Sequence, residues 1–492
     1  MIAAAPSGRR LSTAAVLAIC LAGGAAAAEL ELANVFGDRM VLQRAAALPV
    51  WGRAAAGDIV TVEFAGQTKT ATVADDGGWK LTLDPLDVSA EPRPLTVRGG
   101  RADKPVVLAD VLVGDVWLCG GQSNMAQTAG PDAAAEDTPL IRFTAVESFT
   151  PGEPAADVKA RCRWRAADAK SAASCSGSAL WFARRVQQDE KIPLGLVISC
   201  TGGSAIEQWI RRSALEQTPG GKRHLDYVAS LVKKLEATPP PADKEVPHGG
   251  WPGSPQWVDG HLAGRFNGMI APLAPLALKG AIWYQGEQNA SRSADYATML
   301  PALIADWRAT FGQEFPFLIV QLPAYATEKQ PQGTKWAAMR EVQEQVARTV
   351  PGCGVAITCD NPDPDQLHPK NKKTVGERLG LVALKQVYGR DVTASGPVFD
   401  RLEIVGDKAR VHFKEVGGGL VSKTGDTLGG FQVAGADGAF VAGDARIDGD
   451  TVVVSAAGVA EPKAIRYAWI NVPTMSLWSQ AGLPASPFRT DR

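Results

Sequence analysis

The hydrophobic rhythm of the chain changes twice. Over residues 29–108 apolar and polar positions alternate in short runs at 48–52, 59–64, 69–73, 79–83 and 94–97, broken by Gly57-Asp58, Asp75-Asp76-Gly77-Gly78 and Gly99-Gly100. A period of two interrupted by Gly and Asp turns predicts a small antiparallel β-sandwich. From Val111 onward, continuous apolar runs at 194–199, 279–285, 315–322 and 354–358 alternate with stretches of helical period at 178–190, 224–237, 335–350 and 372–388. Buried strands alternating with helices predict an α/β domain with a doubly wound parallel sheet over 109–394. After Ser395 the period-two pattern returns at 401–405, 409–413, 430–433, 451–455 and 464–469, which predicts a second β-sandwich region or sheet over 395–492.

The first 28 residues stand apart from this pattern. Arg9 and Arg10 precede an apolar run at 11–21, and Ala26, Ala27 and Ala28 supply a small-residue cleavage site. The run is shorter than the roughly 20 residues a membrane span needs, so 1–28 reads as a signal peptide. The mature chain is expected to be exported, to the periplasm or beyond, with no membrane partner.

Charge and cysteine usage narrow the partners. With 51 basic and 52 acidic residues the chain is nearly neutral, which argues against nucleic acid or an anionic membrane surface as partner. Cys20 leaves with the signal, and the spacings Cys162 to Cys175 and Cys353 to Cys359 suit local disulfides in an oxidising compartment. Cys119 and Cys200 fall on apolar runs and read as small buried residues. No Cys/His spacing suits zinc and no Gly-rich loop precedes a phosphate-binding Lys, so neither metal nor cofactor is expected. The sequence leaves the oligomeric state open.

The chemistry concentrates at strand ends. The apolar run that closes with Cys119-Gly120-Gly121 delivers Ser123, between Gln122 and Asn124, onto a turn. A serine hydroxyl becomes a nucleophile only when an imidazole removes its proton and a carboxylate orients that imidazole. Of five histidines, two have an acid three residues earlier: His368 with Asp365, and His248 with Glu245 in a Pro/Gly/Trp loop. His368 ranks first because its loop follows a strand and precedes a helix. Asp360 and Asp363 are nearby rivals to Asp365. Two further strand ends carry candidate groups: Thr201-Gly202-Gly203-Ser204, and Gln285-Gly286-Glu287-Gln288-Asn289.

Three blocks carry a resemblance: Gly121-Gln122-Ser123-Asn124-Met125, Trp283-Tyr284-Gln285-Gly286-Glu287-Gln288-Asn289, and Asp365 with His368-Pro369 followed by Lys370 to Leu379. Their order and spacing resemble the sialate O-acetylesterases and related carbohydrate acetylesterases, which belong to the SGNH (GDSL-type) hydrolases. The resemblance implies an SGNH-hydrolase-like sheet and a Ser123, His368, Asp365 triad acting on an O-acetylated carbohydrate, either sialic acid or plant-wall xylan, xyloglucan or pectin. It also implies an oxyanion hole from the N–H groups of Ser123 and Gly203, with Gly202 the near alternative. The third donor is expected from Gln285, with Asn289 behind it, and Glu287 is expected to orient loop backbone. Two competing readings stand beside it. One is a carbohydrate-binding module without catalysis; in either reading Trp251 and Trp257, in the Pro-, Gly- and Trp-rich stretch 219–264 that is expected to border the site, could stack on a sugar ring. The other is a glycoside hydrolase using Glu287, which lacks a motif-borne second carboxylate.

Overall fold

The computed structural model describes residues 29–99, 104–135, 137–239, 250–360 and 363–491. The expected signal segment 1–28 lies outside the described residues, as do Glu245 and His248. Among the described residues no helix is long and apolar enough to cross a membrane.

The N-terminal region forms strands Leu48–Arg53, Ile59–Phe64, Gln67–Thr72, Gly78–Leu83 and Ser89–Gly99, paired antiparallel. In Ile59–Phe64 every second residue is buried, which is what the alternating sequence demands of a sheet with one wet face. The chain then enters one long strand, β1 (Val106–Gly121), whose first half pairs with Ser89–Gly99 and with Val41–Gln43. The boundary expected after residue 108 therefore falls inside a continuous strand shared by the first sheet and the central one.

The second half of β1 is the middle of the central sheet. Around it lie β2 (Thr138–Ala145), β3 (Leu194–Cys200), β4 (Gly280–Tyr284), β5 (Phe317–Val320) and β6 (Cys353–Ala356), in the order β2-β3-β1-β4-β5-β6. All these pairs are parallel, and Arg165–Ala167 adds an antiparallel edge to β2. The longer helices are α1 (Gly177–Glu190), α2 (Pro219–Ala237), α3 (Ser293–Phe311), α4 (Lys335–Thr349) and α5 (Lys372–Gln386). Side chains alternate faces along a strand, so Trp117 and Gly120 point opposite ways. Trp117 meets Phe182 of α1 edge-on at 4.9 Å, while a side chain at Gly120 would strike Trp307 of α3 at 2.8 Å. Helices thus cover both faces, and the fold is the expected doubly wound α/β sheet with flanking β regions. Trp283 stands between Trp209 and Trp307, at 5.9 and 5.5 Å, and such edge-to-face pairs add about 0.5–1.5 kcal/mol each beyond the area they bury.

Helix α5 packs on α1 through two glycines. An added Cβ at Gly376 would lie 2.5 Å from the Phe182 nitrogen, and one at Gly380 would lie 2.6 Å from Arg185 Cβ. Their bare backbone allows the close approach that fixes where the loop before α5 must run. The C-terminal strands form two four-stranded sheets and a two-stranded ribbon around their own core of Val411, Phe431, Val454, Tyr467 and neighbours. This region docks on α4: Arg340 Nη2 donates to the carbonyls of Ile470 and Asn471 at 2.8 and 2.7 Å, and Trp336 N donates to Asn471 Oδ1 at 2.8 Å.

The local disulfides expected from spacing are not formed. Cys162, Cys175, Cys353 and Cys359 are free thiols, as are Cys119 and Cys200. Strand β6 begins at Cys353 and carries the chain away from it at roughly 3.3 Å per residue, whereas a bridge needs Cα atoms within about 7 Å. Cys359 instead turns its Sγ to Met475 Sδ at 3.5 Å.

One buried ion pair ties the N-terminal region to the central sheet. Asp115, fully buried on β1, accepts from Gln43 Nε2 at 2.9 Å and from Arg44 Nε and Nη2 at 2.9 and 3.0 Å. Removing one partner of such a pair strands the other, so Asp115→Ala should lower unfolding stability by about 3–5 kcal/mol. Denaturant titration followed by tryptophan fluorescence measures it.

Candidate active site

The register of the central sheet gathers three loops at one point. Gly121 ends β1 and pairs with Cys200, the last residue of β3, on one side and with Tyr284, the last residue of β4, on the other. Its φ is +141°, and a Cβ there would sit 2.2 Å from the Tyr284 carbonyl, so only glycine fits. Gln122 then donates its N–H to Tyr284 O at 3.0 Å, and its buried side-chain oxygen accepts from Gln288 N at 3.3 Å. Ser123 opens a single helical turn, Ser123–Ala126, and is half-buried.

The fourth loop comes from the far side of the sequence. It leaves β6, passes His368 and ends at Asn371, whose side chain caps α5 by accepting from Thr374 N at 3.2 Å. His368 is exposed, and its Nε2 lies 2.7 Å from Ser123 Oγ across 245 positions of chain. At that distance an imidazole nitrogen can take the hydroxyl proton. Burial, and then the nearby Lys372 ammonium, hold the His368 pKa below its ordinary 6.5.

Asp365 is exposed three residues before His368, and among the described residues no hydrogen bond joins the two. Its rival Asp360 is occupied elsewhere, gripping Arg378 through both carboxylate oxygens at 2.5 and 2.7 Å. The glycine turn after β3 lies beside the serine: a Cβ on Gly202 would be 3.6 Å from Ser123 Cβ, and Gly203 follows with φ +68°. Among the described residues, the backbone N–H groups of Ser123, Gly202 and Gly203 have no protein acceptor.

Gln285, expected as the third oxyanion donor, is engaged within the protein in this structure. Gln285 is buried, and its amide nitrogen already donates to the Ser204 carbonyl at 3.1 Å and to Asn289 Oδ1 at 2.9 Å. Asn289 has no spare donor either, because its Nδ2 serves both oxygens of the buried Glu207 at 3.2 and 3.0 Å. The cause is Glu207, a carboxylate with no solvent contact that must be hydrogen-bonded, and which also holds Arg292 Nη1 at 2.5 Å.

Beside the backbone N–H groups of Gly286 and Glu287 itself, which act to lower its pKa, Glu287 has a side-chain partner. Its Oε1 accepts from Asn124 Nδ2 at 2.5 Å, and its Oε2 is shut off from solvent without a hydrogen bond. Asn124 Oδ1 in turn accepts from Lys372 Nζ at 2.6 Å. Burial pushes the Glu287 pKa up to about 7 against the pull of Asn124 and Lys372, and burial draws Lys372 down to about 8. Neither Asn124 nor Lys372 stood out in the sequence: an asparagine beside a serine reads as turn chemistry, and Lys372 lies in a basic run that resembles a solvated helix start. Trp257 is engaged within its own short helix, stacked on His261 at 3.8 Å. Among the described residues no group of three His, Cys, Asp or Glu side chains could hold a metal.

A family model described as carbohydrate esterase, sialic acid-specific acetylesterase, matches residues 113–237 and 254–385. The chain belongs to that family. The rat sialate O-acetylesterase is 30% identical over 419 residues, covering 76% of this chain and 77% of the rat protein. The human sialate O-acetylesterase is 28% identical over 421 residues, covering 77% and 75%. The crystal structure of a carbohydrate acetylesterase from Xanthomonas citri aligns with a TM-score of 0.81 at 33% identity, over 94% of this chain and 99% of that one. The protein is thus a carbohydrate O-acetylesterase, a hydrolase of ester bonds.

The raised Glu287 pKa has a consequence for stability. The folded esterase binds this proton more tightly than the unfolded chain, so the contribution is complete below about pH 4.5 and lost as pH rises through about 7. Glu287→Gln should therefore gain stability relative to the parent as the buffer moves from about pH 5 to about pH 7.5. Melting temperatures of both proteins across that range test the sign.

Proposed function

We propose that this esterase releases acetate from O-acetylated sugars through an acetyl-enzyme formed on Ser123. His368 Nε2 takes the Oγ proton as the oxygen attacks the acetyl carbonyl carbon, and the resulting oxyanion faces the N–H groups of Ser123 and Gly203, with Gly202 the near alternative. His368 passes its proton to the departing sugar oxygen, then deprotonates the water that hydrolyses the acetyl-enzyme. Asp365 orients the imidazole once substrate draws the loop together, since catalytic hydrogen bonds are often loose before substrate binds. The observation that carries this reading is the 2.7 Å approach of His368 Nε2 to Ser123 Oγ.

O-acetylated sialic acids are the first substrate class, on the family match and the rat and human relatives. Acetylated xylan, xyloglucan or pectin is the second, on the broader description of the Xanthomonas citri relative as a carbohydrate acetylesterase. Export rests on Arg9, Arg10, the apolar run at 11–21 and the three alanines ending at Ala28. N-terminal sequencing of the mature protein should begin at Glu29, and an intact Met1 would refute it. Acetate release assayed side by side on acetylated sialic acid and acetylated xylo-oligosaccharides selects the substrate. Ser123→Ala should cut that release by at least about a thousandfold while leaving the fold intact, and retained turnover would remove Ser123 from the mechanism.

A further inference from the structure

One amide touches the chain neighbours of both reacting groups. Asn124 follows Ser123 directly, and its Nδ2 donates to the carbonyl of Leu367, the residue before His368, at 3.0 Å, as well as to Glu287 Oε1 at 2.5 Å. Its Oδ1 accepts from Lys372 Nζ at 2.6 Å, one turn beyond His368 at the start of α5. Asn124 is fully buried and Lys372 is 3% exposed. The ammonium has a single hydrogen-bond acceptor among the described residues and sits 5.5 Å from the ring centre of Tyr284. The loop after β4, the nucleophile turn and the histidine loop are therefore joined through one buried side chain.

We propose that Glu287, Asn124 and Lys372 act as a buried positioning relay that holds Ser123 against His368, with the Lys372 ammonium on the interior side of the histidine loop. The inference rests on the hydrolase reading of Ser123 and His368. Three observations carry it. The relay contacts both loops that must meet, so its loss releases their mutual placement. A buried ammonium beside a buried carboxyl is a costly arrangement that apolar packing would replace at no loss of stability. Lys372 holds the oxygen end of the Asn124 amide while Glu287 and the Leu367 carbonyl share its nitrogen, and the other titratable group facing the ammonium is Tyr284 of β4, its ring centre 5.5 Å away. Burial lowers the His368 pKa first and Lys372 second, in keeping with this arrangement.

The test uses Lys372→Met, Lys372→Arg and Glu287→Gln in the full-length protein, with 4-nitrophenyl acetate as the probe ester. Histidine NMR titration supplies a readout that needs no turnover. In Lys372→Met the His368 pKa should rise, the acid limb of kcat/KM should move to higher pH with it, and kcat should fall about tenfold or more with KM little changed. Lys372→Arg, which keeps the charge, should return the acid limb toward that of the parent. Glu287→Gln should lower kcat in the same way. A folded Lys372→Met protein whose His368 pKa and kcat both match the parent overturns the relay. If that variant does not fold, Lys372→Gln, which removes the charge but keeps an amide donor for Asn124, must show the same rise in His368 pKa, and an unmoved pKa overturns the proposal. A parent protein that releases no acetate sinks the acyl-enzyme reading instead, and the NMR shift still decides the relay.

Discussion

The site depends on one register. Gly121 stands between Cys200 and Tyr284, so three parallel strands finish at the same level and their three loops emerge side by side. A parallel sheet makes this possible because every strand points its carboxyl end to one edge, where the following backbone still has N–H groups to offer. The cost is crowding, which the bare Cα of Gly121 relieves against the Tyr284 carbonyl. Only the fourth loop needs outside help. Its histidine comes from the sheet's far flank, and the close packing of Gly376 and Gly380 against α1 brings it over the serine.

Beneath that edge lie two buried carboxylate clusters of different character. Glu207 is satisfied on every side: Asn289 meets both its oxygens and Arg292 adds an ionic hydrogen bond. Such a network rigidifies, and here it sets the path of the segment after β3 against the end of β4. Glu287 has one hydrogen-bonded oxygen and one orphan, and its counter-charge reaches it only through Asn124. Polar groups left short of partners reduce stability, and where a fold retains them the gain lies outside stability. The same strand end thus carries a structural carboxylate network and, two residues along, one better suited to tuning a neighbouring base.

The central sheet was legible because its strands are continuous apolar runs and its helices amphipathic. The helix expected at 178–190 is Gly177–Glu190, and that expected at 335–350 is Lys335–Thr349. The helix Ser293–Phe311 went unseen for two physical reasons. It buries residues around much of its circumference, including Asp306 and Arg308, which blurs the period, and it carries Pro301 in its interior. The strand Thr138–Ala145 begins with a Thr-Pro pair and includes Arg142, whose charge is answered by Asp110 from elsewhere in the chain. Ser123 and His368 could be nominated because their motifs are local. The hydrogen bonding of Gln285 and Asn289 could not, because it is dictated by Glu207, about 80 positions upstream and silent in sequence. Lys372 was hidden by its company, since nothing in a basic run tells which lysine turns inward.

The environment of His368 is lopsided, and the lopsidedness fits the chemistry. A carboxylate close to an imidazole strengthens it as a base, whereas burial and the Lys372 ammonium weaken it. In an ester hydrolysis through Ser123 the same ring must first accept a proton and then surrender it to a sugar alkoxide. A strongly basic imidazole favours the first transfer and resists the second. With Asp365 exposed at the rim and Lys372 buried below, the carboxylate lies in water that screens it, while the cation acts from the interior where screening is weak. The lowered pKa keeps the ring a neutral acceptor down to lower pH and, once it is protonated, makes it a readier donor to the departing alkoxide.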